Sequence, residues 1–176
     1  MKKKLKNYKR QIYFISIVLL FFGCNNDSLH KDYYYSGSLK TSVSMSNGKK
    51  NGLAIHYYEN GNIEGIETYV NDSANGEVFS FYPNGYLERK SIVKMGIPNG
   101  YNYGFYSSGS IKDYRMLVNG KKQGYGEDYW GKDGDIKAVY FARNDTLTYE
   151  RLFDTSGVVI KIRGNSPEVP NSKVNK

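Results

Sequence analysis

Cys24, His30 and His56 have the side-chain types that most often perform covalent or acid–base chemistry. A hydrolytic nucleophile needs a base beside it, and an ordinary structural zinc site needs four nitrogen or sulfur ligands. One cysteine and two histidines are too few for such a zinc site, and a single cysteine excludes an intrachain disulfide. The sequence therefore predicts no catalytic residue, metal site, cofactor or small-molecule substrate, and no enzymatic activity.

Cys24 follows a segment that is typical of a secretory signal. Residues 1–23 hold six basic and no acidic residues, and an apolar run over residues 12–22 ends at Gly23. A spanning helix needs roughly 20 apolar residues, and this run has about half of them. A cleaved signal is therefore favoured over a retained transmembrane helix. The alternative for Cys24 is an unpaired apolar cysteine inside an ordinary signal or anchor helix.

The order apolar run, Gly23, Cys24 resembles the lipobox of bacterial lipoproteins. The resemblance implies that residues 1–23 are a lipoprotein signal peptide and that the Cys24 thiol is acylated at the mature N-terminus. Two acyl chains hold a protein stably on a membrane. We therefore expect a lipid-anchored protein of the cell envelope, on the periplasmic or the cell-surface side, whose residues 24–31 tether the domain to the membrane.

The net charge of +8 lies mostly in the leader. Six of the 25 basic residues fall within residues 1–23, so the remaining 19 face 17 acidic residues. A nucleic-acid-binding domain carries its basic excess on the folded surface. The distribution therefore argues against a nucleic-acid partner.

A repeat of 24 residues dominates the rest of the sequence and predicts how side chains are positioned. Four hexads, NGKKNG, NDSANG, MGIPNG and NGKKQG, are each followed by a strand-like run, an aromatic pair, and a second glycine turn. We read each unit as strand, tight turn, strand and hexad turn, with glycine and asparagine supplying positive φ. Ser80, Gly104 and Asp128 occupy the position of His56, so His56 reads as a variable outward-facing residue and not as a base.

The predicted fold is all-β, an elongated sheet or solenoid of tandem β-hairpins over residues 32–163. Stacked hairpins are expected to bury one continuous apolar face, with partial copies capping both ends. Residues 164–176 carry two prolines and no periodic apolar pattern, and they predict a disordered tail.

The second residue of each aromatic pair keeps a polar atom on its ring. Such residues suit a half-exposed position or an interface. We take them as a candidate binding stripe, with a structural ladder of cross-strand aromatic contacts as the alternative. The stripe consists of Tyr58, Tyr82, Tyr106 and Trp130, with Tyr34 and Phe153 as its partial copies at the ends.

The glycine, aromatic-pair and Asn-Gly-Lys columns resemble the bacterial variant of the MORN repeat, the type in YwqK-like proteins that are often catalogued as antitoxin components. The resemblance implies a repeat scaffold, and scaffolds of one fold serve many functions. We therefore predict a membrane-anchored, non-enzymatic protein that binds a protein or an envelope polymer. Two alternatives stay open, an antitoxin or immunity protein and a carbohydrate-active enzyme whose aromatics stack on sugars.

Overall fold

The computed structural model of the chain describes residues 26–131 and 134–167, and every regular element in those ranges is a β-strand. The predicted all-β fold is confirmed. The strands are β1 (Asp27–Tyr33), β2 (Leu39–Ser46), β3 (Lys49–Tyr57), β4 (Ile63–Val70), β5 (Ser73–Ala74), β6 (Gly76–Phe81), β7 (Leu87–Lys94), β8 (Ile97–Pro98), β9 (Gly100–Phe105), β10 (Ile111–Val118), β11 (Lys121–Tyr129), β12 (Ile136–Arg143), β13 (Thr146–Phe153) and β14 (Val159–Gly164).

The strands form one open antiparallel sheet in which spatial order follows chain order. The two-residue strands β5 and β8 pair with β4 and β7 beside the main path. Each 24-residue unit is thus one β-hairpin that adds to the edge of the previous one, as the repeat predicts. No helix long and apolar enough to cross a membrane occurs in the described ranges.

The hexads divide differently from the prediction. Only their first two residues reverse the chain, with both φ angles positive, for example φ 51 at Asn47 and 75 at Gly48. Two such residues complete a hairpin turn whose twist matches the flanking strands. The rest of the first hexad therefore already belongs to β3, and the predicted six-residue turn was wrong.

The second turn of each repeat produces a β-bulge that recurs along the sheet. In the hairpin of β3 and β4, Tyr57 pairs with Ile63 and His56 with Gly65, which leaves Glu64 without a partner in the register. A bulge of this kind bends the strand and redirects the extra side chain. The equivalent unpaired residues form what we call the bulge row, Lys40, Glu64, Glu88, Lys112, Lys137 and Ile160.

Strand register sorts the side chains onto two faces. One row of directly opposed residues crosses the sheet through the pairs His56 and Gly65, Ser80 and Arg89, and Gly104 and Asp113, and it defines the polar face. The adjacent row defines the opposite, aromatic face. It runs through Ile55, Ile66, Phe79, Lys90, Tyr103, Tyr114, Glu127 and Val139.

The sheet has almost no enclosed core, which corrects the expectation that stacking buries a continuous apolar face. A sheet packs a core only against a second layer, and the described residues form one layer. Each hairpin therefore packs only against the hairpins beside it in the sheet, and no second layer covers its faces within the described residues. The buried apolar residues of the described ranges are Val43, Ala54, Ala138, Tyr140, Ala142 and Tyr149.

The ends of the sheet also differ from the predicted boundaries. β1 begins at Asp27, so most of the predicted tether of residues 24–31, including His30, is an edge strand, and the hairpin array of residues 32–163 extends to residues 27–164. Backbone hydrogen bonds place Asp154, and not Phe153, at the last position of the second aromatic column. The predicted signal peptide of residues 1–23, Cys24 and most of the predicted tail of residues 164–176 lie outside the described residues.

Candidate functional site

The predicted stripe forms a ladder that ties each hairpin to the next. The hydroxyl of Tyr58 donates to the carbonyl oxygen of Phe81 at 2.7 Å, and the hydroxyl of Tyr82 donates to that of Phe105 at 2.8 Å. Tyr34 and Tyr106 make the same bond at 2.7 and 2.8 Å. Since each bond joins residues 23 positions apart, these hydroxyls hold neighbouring repeats in register.

The ladder ends at the last repeat. Trp130 replaces tyrosine, and its buried Nε1 has no hydrogen-bond partner within the described residues. Asp154, at the next position, turns back on its own loop, where its carboxylate accepts bonds from the backbone N–H groups of Ser156 and Val158, both at 2.9 Å. Hydrogen bonds from Ser156 and Val158 lower the pKa of Asp154. At its C-terminal end the ladder therefore finishes with a polar residue, Asp154, whose side chain bonds to its own loop.

The bulge row covers the rings of the stripe. The ammonium of Lys112 lies 5.7 Å from the ring centre of Tyr106, and that of Lys137 lies 4.9 Å from the Trp130 ring. At Tyr58, burial first and the Glu64 carboxylate next raise the pKa of the phenol. The hydroxyls of the stripe bond to the main chain of the next repeat, and charged side chains cover its rings. These contacts give the stripe a structural role, and its use in binding stays a prediction.

His56 lies on the polar face in an acidic surrounding. Its Nε2 is 3.0 Å from Glu67 Oε1, and the Tyr69 hydroxyl donates to the same oxygen at 2.7 Å. Burial, with this hydrogen bond, raises the pKa of Tyr69 to about 12. Ser80 lines the same cavity of about 320 Å³, but its hydroxyl donates to Glu88 at 3.4 Å. His56 is thus hydrogen-bonded to the Glu67 carboxylate. Among the described residues, no nucleophile is hydrogen-bonded to His56.

A buried carboxylate occupies the polar face further along the sheet. The side chain of Asp113 is only 6% exposed and lies between two guanidinium groups, a close contact to Arg115 and one at 3.9 Å to Arg89. A Cβ at Gly104 would lie 2.5 Å from Asp113 Oδ2, so glycine makes room for this carboxylate. The repeat pattern of the sequence did not reveal this cluster, although Gly104 inside a strand was a signal for it.

The aromatic face holds a second set of tyrosines that the repeat columns did not reveal. The ring centres of Tyr101 and Tyr103 lie 6.3 Å apart, and those of Tyr103 and Tyr114 lie 6.1 Å apart, with interplanar angles of 33° and 34°. The hydroxyl of Tyr114 donates to Glu127 Oε1 at 2.9 Å, and that of Tyr129 donates to Oε2 of the same carboxylate. Burial, with the Glu127 hydrogen bonds, raises the pKa of both phenols.

Residues 50–71 match the family described as a MORN repeat variant. The matched residues cover the hairpin of β3 and β4 almost completely. The chain therefore contains a MORN repeat variant, and the equivalent hairpins make it a repeat protein. No curated protein matches the chain. Over residues 26–131 and 134–167, no group of three or more His, Cys, Asp or Glu side chains is arranged to hold a metal ion.

Proposed function

We propose that the protein is a membrane-anchored, non-enzymatic scaffold whose aromatic face binds a protein or an envelope polymer. The observation that carries the proposal is the open aromatic face itself. A contiguous apolar patch on a soluble surface marks an interaction site more often than a structural accident. In this single-layer sheet the aromatic face extends over several hairpins, with Leu53 and Tyr101 among its exposed apolar side chains and Lys90 and Glu127 among its charged ones.

Three tyrosines form the part of this face best suited to contact a partner. Tyr101 is 49% exposed, and its ring lies beside that of Tyr103. The Tyr103 ring in turn lies beside that of Tyr114, and the interplanar angles of both pairs are small. Glu127 fixes the third ring through its hydrogen bond. Ordered aromatic rings provide large contact area at a low entropic cost, which supports binding of an extended ligand.

The proposed anchor would hold the sheet close to the membrane. β1 begins at Asp27, three residues after Cys24. Three extended residues span at most about 10 Å. With so short a connection, an acylated Cys24 would restrict the sheet to partners at or near the membrane surface.

Site-specific photo-crosslinking in native membranes tests the aromatic face. A benzophenone amino acid replaces Tyr103, and the control carries it at Ser91, which register places on the polar face. We expect position 103 to give a discrete adduct with another protein or polymer, and this adduct should be lost when Tyr101 is also changed to Ser. Position 91 should give no adduct with a molecule other than a second copy of this chain. Equal adduct patterns from the two faces would refute the proposal.

A parallel experiment separates this surface from the stripe. Co-sedimentation with purified envelope fragments is compared for Tyr101→Ser with Tyr103→Ser, for Tyr86→Ser as an exposed-tyrosine control, and for combined alanine replacement of the stripe. Loss only in the first variant supports the aromatic face. Loss only in a folded stripe variant assigns binding to the stripe instead.

A further inference from the structure

The bulge row carries charges in an order that is complementary to itself. Its four central positions, Glu64, Glu88, Lys112 and Lys137, read minus, minus, plus, plus along the sheet, with Lys40 before them and Ile160 after them. We infer that two copies of this chain associate through their polar faces in opposite directions along the sheet, so that each half-row meets the opposite charge.

These four side chains lie on the polar face. Glu64 lines the cavity that holds His56 and Glu67. The Ser80 hydroxyl, also on the polar face, donates to Glu88. The two lysines line one cavity of about 220 Å³ together with Asp113 and Asp128, which register places on the same face.

The four charges are available for contacts between copies. Glu64, Lys112 and Lys137 are exposed and Glu88 is half-buried. Among the described residues none of the four takes part in an ion pair. Because these four positions contain both signs in equal number, a ligand of one sign would be attracted to one half and repelled by the other, whereas a second copy matches both halves.

A two-fold axis parallel to the strands between the two sheets produces this match. Such an axis keeps each row opposite the same row and reverses its order, so that Glu64 faces Lys137 of the second copy and Glu88 faces Lys112. One charge occurs per hairpin, at a spacing of about 10 Å for two strand widths. Equal spacing lets all four positions meet at once.

The neighbouring rows create no contact between like charges. Arg89 and Asp113 occupy equivalent positions of the second and third full repeats, so the axis places Arg89 of one copy above the buried Asp113 of the other. Val93 and Leu117 are likewise equivalent, and the axis places one apolar side chain opposite the other. No pair of like charges is created in the bulge row, and Lys40 faces Ile160, which is uncharged.

The association is expected to be weak and sensitive to salt. Exposed ion pairs each contribute only about 0–1 kcal/mol, and salt screens them within about 10 Å at 0.1 M ionic strength. Four pairs in one contact act together. The aromatic faces of both copies stay outward, so this inference does not depend on the proposed partner.

Sedimentation velocity of the full-length protein in mild detergent tests the inference. We expect a dimer at about 20 mM salt that dissociates at about 500 mM. A variant with lysine at all four positions, Glu64→Lys with Glu88→Lys, and a variant with glutamate at all four, Lys112→Glu with Lys137→Glu, should each be monomeric. A mixture of the two should restore the dimeric mass. Both residue types already occur in this row, and circular dichroism checks that each variant is folded before its mass is compared.

Lys40→Glu is the matched control, because it changes the charge of the same row outside the four paired positions. It should leave the dimeric mass unchanged. A wild-type protein that is monomeric at low salt overturns the inference. So does a wild-type dimer whose all-lysine and all-glutamate variants also dimerise alone, since association would then use another surface, such as the edge strands β1 and β14.

Discussion

Met95 shows how a single residue departs from the repeat while keeping its geometry. It has φ 50 at the first turn position, where the other full repeats have Asn47, Asn71 and Asn119. A left-handed backbone is unfavourable for residues that carry a Cβ, and asparagine tolerates it better than methionine does. Met95 is also 57% exposed, so its side chain gains little from burial.

Met95→Asn should therefore stabilise the protein by about 0.5–1 kcal/mol, since it relieves strain at a turn without removing a packed side chain. Urea denaturation followed by circular dichroism measures the change. Asn119→Met is the matched reverse substitution and should destabilise the same turn of the next repeat. If both variants unfold at the same urea concentration as the wild type, turn strain does not limit stability.

The hairpin is the unit that the tyrosine ladder connects. Each ladder bond joins one repeat to the next at the turns that connect the two strands of each hairpin. Asparagine side chains add further bonds between these turns, such as the one from Asn62 to the Pro83 carbonyl at 2.8 Å. In repeat proteins, stability is the sum of intrinsic and interface contributions of the units. The ladder belongs to the interfaces, so its loss should uncouple neighbouring hairpins.

Tyr82→Phe removes one such bond and should lower the free energy of unfolding by about 1 kcal/mol, because the Phe105 carbonyl loses its donor. Tyr86→Phe is the control, since Tyr86 is 54% exposed and its hydroxyl makes no side-chain hydrogen bond among the described residues. Hydrogen exchange of β6 and β9 should rise in the first variant only. Equal exchange in both variants would contradict a role of the ladder between repeats.

At the scale of the whole molecule, a single-layer sheet leaves two faces and two edges to be used. We propose the aromatic face for a partner and the polar face for a second copy. Both edge strands mix charged and exposed apolar side chains. β1 carries Asp27, Lys31 and Asp32 beside Leu29, and β14 carries Lys161 and Arg163 beside Ile160 and Ile162. Charged side chains on an edge oppose pairing with another strand, so both edges are partly protected.

The predicted localisation at a membrane depends on acylation of Cys24, and the intact mass of the protein tests it. Protein extracted from native membranes should begin at Cys24 and carry added acyl mass, and Cys24→Ala should lose both the mass and the membrane association. An unprocessed chain in the soluble fraction would refute the anchor. The antitoxin alternative would then become the leading hypothesis.

The sequence alone was sufficient for the hairpin array, because positive-φ residues and alternating side chains are local properties with a fixed period. It also located the aromatic pairs, since they recur at the same place in each repeat. Boundaries were less certain: the two left-handed residues of each hexad already complete its turn, and β1 reaches into the predicted tether.

Only the tertiary structure decided what the side chains contact. The tyrosine hydroxyls find acceptors 23 residues away, a relation that depends on how hairpins stack and not on any local pattern. Bulges also shift register by one residue and thereby bring Glu64, Glu88, Lys112 and Lys137 onto one face. Face and partner are properties of the assembled sheet, because a one-residue shift in pairing exchanges the two faces of a strand.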